Sequence, residues 1–98
     1  MSKRNSQFIR NLRDMGSIEI ISVIASFDTD GQIRPLYIRI GDDSLKVISS
    51  WEKPDYARRR TFQCKVIDQN IAKPARLTYY EDESVWVVHK GAYTFMSP

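Results

Sequence analysis

A single cysteine, Cys64, leaves no internal disulfide to staple this chain, so the fold must rest on packing. One histidine, His89, beside that one cysteine excludes a cage of soft metal ligands, and no metal site is expected. Glycine is scarce at four residues, all isolated, so no glycine-rich loop can cradle a phosphate. No apolar run approaches the ~18 residues of a membrane-spanning helix. The chain opens on Met1-Ser2-Lys3-Arg4-Asn5-Ser6, a polar start without the apolar core of a secretion signal, and a cytoplasmic location is the expectation.

What is present describes one globular domain. Ninety-eight residues fall well below the length at which chains divide, so residues 1–98 are read as a single unit. A hydrophobic fraction of 42% and a charged fraction of 28% are close to globular averages, which sets aside disorder and coiled coils. Fifteen Lys and Arg face twelve Asp and Glu, and a net charge of +3 identifies no partner by itself. Its distribution says more. Bases gather at Lys3, Arg4, Arg10 and Arg13 and again between residues 44 and 79. Acids gather at Asp28/Asp30, Asp42/Asp43 and Glu81-Asp82-Glu83, where turns are expected.

Ser6 stands as an N-cap before Phe8, Ile9, Leu12 and Met15, which form one helical stripe, and Gly16 follows as a C′ residue. Residues 6–15 are therefore read as a short amphipathic helix. A helix this short does not persist alone, so its stripe is expected to dock on the rest, plugging one end of it. Beyond Gly16 the rhythm changes to that of strands, over residues 17–90. Ile18 to Phe27 is apolar on both faces through Ile20-Ile21 and Val23-Ile24 and reads as a doubly buried strand. Asp28-Thr29-Asp30-Gly31 supplies a hairpin turn. Its glycine and the absence of a glutamate twelve positions along do not fit a calcium loop.

Leu36, Ile38 and Ile40 then share a face, with Pro35 marking a strand start or a sheet edge. Leu45, Val47 and Trp51 are assigned inward on the next strand, and residues 52–60 form the longest loop. Phe62, Cys64 and Val66, then Leu77 and Tyr79, then Val85 and Val87 complete the expected core. Residues 91–98 read as a loose tail. Five to six short antiparallel strands at regular spacing point to a mainly β fold, a small SH3-like barrel or, second, an OB-like one.

No catalytic constellation emerges. Cys64 alternates with core residues, His89 has no assigned acidic partner, and carboxylates pair only in turns, where hydration suits them poorly to general acid work. No enzyme, cofactor or small-molecule ligand is therefore expected. The outward set carries the sharper signal: Tyr37, Arg39, Lys46, Gln63, Lys65, Arg76, Thr78, Tyr80, Trp86 and Lys90. Cations interleaved with rings suit single-stranded nucleic acid, with charge on phosphates and rings stacked on bases. The loop from Lys53 to Arg60, with Tyr56 beside Arg58, Arg59 and Arg60, extends that set. Solvent faces of antiparallel sheets favour the same residue types for strand propensity alone, and Tyr, Trp and Arg also dominate protein interfaces. Nucleic acid and a protein partner or homodimer thus both stay open, while the helix is too short for a membrane anchor.

The stretch Phe27-Asp28-Thr29-Asp30-Gly31-Gln32-Ile33-Arg34-Pro35-Leu36-Tyr37-Ile38-Arg39-Ile40 carries a D-G-x-I-x-P hairpin. With Arg60-Thr61-Phe62-Gln63-Cys64-Lys65-Val66 and Ser84-Val85-Trp86-Val87-Val88, it resembles small bacterial all-β domains of unknown function over residues 18–88. The resemblance implies a β fold and brings no site residues with it.

Overall fold

The computed structural model describes residues 18–53 and 58–90. The expected helix at 6–15, the tail at 91–98 and Tyr56 lie outside these residues. The described chain forms β1 Ile18–Phe27, β2 Ile33–Ile40, β3 Asp43–Lys53, β4 Arg59–Asp68, β5 Ile71–Tyr80 and β6 Val85–His89. Each strand pairs antiparallel with the next, and β6 returns to β1, closing a barrel in sequence order. Closure satisfies the backbone donors that an open sheet would leave at its edges. No helix among the described residues is long and apolar enough to cross a membrane.

The turns follow from local chemistry. The Asp28 carboxylate accepts the backbone N–H groups of Asp30 and Gln32, each at 2.9 Å, and Gly31 takes φ 81° to complete the reversal. Gly41-Asp42 joins β2 to β3 as a two-residue loop with Gly41 at φ 60°. Gln69 and Asn70 both adopt positive φ between the paired Asp68 and Ile71, the geometry of a type I′ hairpin.

Inside the barrel, Ile33, Ile38, Leu45, Phe62, Cys64, Val66, Ala75, Leu77, Trp86 and Val88 form one buried cluster. Phe62 and Tyr79 flank Trp86, with ring centroids 5.6 Å and 4.9 Å away. Cys64 is only 1% exposed, and burial pushes its thiol up to about 12. We expect thiol reagents at pH 8 to label the folded protein only as fast as it unfolds. Labelling at the rate seen in denaturant would contradict this placement.

Several inward assignments are corrected. The doubly buried strand is β6, where Val85, Trp86, Val87 and Val88 are all buried, whereas β1 is half-buried and exposes Ile24. Within β6 the faces are the reverse of those expected: Trp86 and Val88 point inward, while Val85 and Val87 join Ile18, Ile20 and Tyr80 in a second apolar cluster outside the barrel. Trp86 is therefore a core residue. Pro35 begins neither a strand nor an edge; it is buried opposite Ala25 beside a bulge at Leu36, which turns Leu36 outward. A second bulge at Ile48 separates the Val47–Val66 and Ser49–Lys65 pairs. That extra residue inverts the rest of β3, so Trp51 faces outward and is 55% exposed.

Candidate functional site

The register sorts charge by face. In an antiparallel pair, residues opposite one another point to the same side. Phe62, Cys64 and Val66 point inward, so Arg59, Thr61, Gln63, Lys65 and Ile67 point outward along β4. On one flank, Lys46, Ser49, Trp51 and Lys53 of β3 lie opposite Ile67, Lys65, Gln63 and Thr61. On the other, Pro74, Arg76, Thr78 and Tyr80 of β5 lie opposite Lys65, Gln63, Thr61 and Arg59. Lys46, Lys53, Arg59, Lys65 and Arg76 thus share this outer surface with the rings of Trp51 and Tyr80.

Among the described residues, carboxylates are absent from it. The acids within β3 and β4 are Asp43, Glu52 and Asp68, paired with Ile40, Phe62 and Ile71 at inward positions near the barrel rims. Glu19 of β1, opposite Val88, has the inward sense too. Every other described acid lies in a turn. Among the described residues no strand carries a carboxylate at an outward position.

Three cations outside this surface are neutralised locally. Arg60 donates two hydrogen bonds to Glu52, Nε to Oε2 at 2.9 Å and Nη2 to Oε1 at 2.8 Å, and its other nitrogen lies 3.8 Å from Glu81. Arg58 pairs with Asp82, and Lys73 donates to Asp68 at 3.1 Å. No such ion pair forms at Lys46, Lys53, Lys65 or Arg76. Their field is therefore directed at solvent.

The Glu52 carboxyl is held below the usual carboxylate range, first by its hydrogen bonds from Arg60 and also by that residue's charge. Its contribution is complete above the ordinary glutamate range and is lost as pH falls through the lowered value. The pair is partly exposed, so the contribution is at most about 1 kcal/mol. Thermal melts of the wild type and Glu52→Gln should differ at pH 7 and converge at pH 2. A gap that persists at pH 2 would refute this ion-pair account.

Lys53, Arg59, Thr61, Arg76, Thr78, Tyr80 and His89 line a shallow open groove of about 400 Å³ on this surface. Its floor is a chain of polar groups, with Thr61 Oγ1 3.0 Å from Thr78 Oγ1 and Thr78 Oγ1 2.8 Å from His89 Nε2. Thr78 is buried, so these bonds satisfy a hydroxyl that would otherwise be costly to desolvate.

The ten site residues expected from the sequence therefore divide. Arg59, Lys65, Arg76 and Tyr80 come together on β4 and β5, and Lys46 adjoins them from β3. Tyr37 and Arg39 share the outer surface on β2, further around the barrel. Arg58 and Arg60 are bound to acids, and Trp86 is in the core. Sequence reasoning does not find Trp51, because strict alternation carried across the bulge assigns it inward. Lys53, expected in the loop that extends the surface, is instead the last residue of β3.

A different surface character appears around β1–β3. Ile24, Leu36, Tyr37 and Ile48 are exposed there, and Ser22, Ile24, Tyr37, Arg39 and Ser44 help line a depression of about 170 Å³. No family model, curated protein or solved structure matches the chain.

Proposed function

We propose that this domain is a non-enzymatic binding module for nucleic acid, contacting its ligand through the outer face of β3, β4 and β5. The observation that carries the reading is the segregation of charge by register. Lys46, Lys53, Arg59, Lys65 and Arg76 occupy outward positions that contain no acid, while Arg58, Arg60 and Lys73 are spent on internal pairs. Strand propensity explains Thr and Tyr on an outer face and disfavours Asp, but it depletes Lys as it depletes Glu, so it does not account for five cations beside no glutamate. A polyanion does. Phosphates bind by releasing counterions, and rings beside the cations supply sequence-tolerant contact with bases. The sequential strand order speaks against the Greek-key order of OB folds and leaves the SH3-like type as the preferred comparison.

The test is anisotropy of labelled single-stranded and duplex probes against salt. Affinity on the micromolar scale at low salt, with log K falling linearly against log salt, is the expected result. Failure of both probes to bind at low salt would remove the proposal. A second reading, a homodimer, is favoured only by the exposed Ile24, Leu36, Tyr37 and Ile48. Sedimentation equilibrium decides it: a monomer at tens of micromolar would exclude that reading.

A further inference from the structure

We propose that Trp51 is the base-stacking residue of this surface, and hence that the ligand recognised is a single strand with unpaired bases. The inference rests on the nucleic-acid reading above and specifies its ligand. The Ile48 bulge brings Trp51 to an outward position and leaves it 55% exposed, although large apolar rings are normally drawn into the core. Its surroundings are those of a stacking platform. Gln63 is its direct partner on β4, and Arg76 is opposite Gln63 on β5, so the three form one row across the sheet. Lys65 and Lys53 belong to the rows on either side, each about 7 Å away along the strands. A ring with cations on three sides matches a nucleotide, whose base offers a π-face and whose flanking phosphates offer negative charge.

Strand pairing explains why the ring is accessible. β2 and β3 pair only from Tyr37/Lys46 to Ile40/Asp43, and beyond that point they separate around a cleft of about 290 Å³. Trp51 stands at this cleft with Arg34, Glu52 and Phe62, so no neighbouring strand on the β2 side holds a residue opposite it. Tyr80 lies at the other end of the groove, two rows away, and offers a second ring on the same track. Bases in a duplex are already stacked on their neighbours and so offer Trp51 no free π-face. A strand with free bases can place one on Trp51 and its phosphates beside Lys53, Lys65 and Arg76.

The chain has two tryptophans, and Trp86 is sealed in the core at 8% exposure, so a ligand-dependent change in tryptophan emission reports on Trp51. The experiment titrates the full chain with an oligothymidylate of about twelve nucleotides and with a duplex of equal length. It follows both tryptophan emission and anisotropy of the labelled probe. We expect saturable quenching by the single strand, loss of that quenching in Trp51→Ala, and an affinity about 5- to 100-fold weaker by anisotropy. Trp51→Phe should retain part of the affinity because it keeps a ring. If the single strand binds by anisotropy but Trp51→Ala binds equally well, or the duplex binds as tightly as the single strand, this proposal fails while the nucleic-acid reading stands. If neither probe binds the wild type, the underlying reading fails with it.

Discussion

Replacing Lys53, Lys65 and Arg76 together by glutamine should reduce the salt dependence of single-strand binding by about two units of the logarithmic slope. Each cation that contacts a phosphate of a single strand releases somewhat less than one counterion, so the slope counts such contacts. Affinity should fall about 10- to 100-fold near physiological salt, and it should fall to a similar extent for different base sequences, because phosphate contacts carry no sequence information. Arg58→Gln supplies the control. Arg58 is already engaged by Asp82, so its removal should leave the slope nearly unchanged. Fold stability should also change little in the triple variant, since no ion pair among the described residues involves these three side chains. An unchanged slope in the triple variant would mean that phosphates are held elsewhere.

The second large effect separates the two tryptophans. Trp86→Ala should destabilise the domain by about 3–5 kcal/mol, because it removes a ring packed against Phe62 and Tyr79 and leaves a cavity. Domains of this size have a total stability of only about 5–15 kcal/mol, so the variant should lose much of its urea resistance. Trp51→Ala should cost far less, within about 1 kcal/mol of wild type, as expected for a side chain that is 55% exposed. Urea midpoints for the two variants check this directly. Equal losses would contradict the assignment of one ring to the core and the other to solvent.

That contrast also marks where the sequence is legible. Turn chemistry is local, so Asp28–Gly31 and Gly41-Asp42 announce their reversals without tertiary context. In β4 apolar and polar residues alternate without interruption, and Phe62, Cys64 and Val66 are inward as the pattern requires. β6 offers no such contrast. Val85-Trp86-Val87-Val88 is apolar at every position, so its inward face is decided by fit, and the barrel places the largest ring beside Phe62. The bulges are the other source of error. One extra residue at Ile48 or Leu36 reverses the face of everything beyond it, and it is set by the bending needed to close the barrel. For these two separate reasons the pattern alone places Trp51 inward and Trp86 outward, the reverse of the fold. The cationic residues of β4 and β5 were legible because no bulge interrupts their pairing, from Arg59/Tyr80 to Asp68/Ile71. Which arginines were committed to acids was not legible, since Arg60 finds Glu52 across a strand pair and Arg58 finds Asp82 across a distant turn.

Residue-resolved amide shifts in a ¹⁵N-labelled sample titrated with oligothymidylate test the central claim most directly. The account predicts that perturbations concentrate on Lys46, Trp51, Lys53, Thr61, Lys65, Arg76 and Tyr80 and leave the Asp28–Gly31 turn and the outer face of β1 unmoved. Saturable shifts centred on Ile24, Leu36 and Arg39, with β4 and β5 silent, would contradict it.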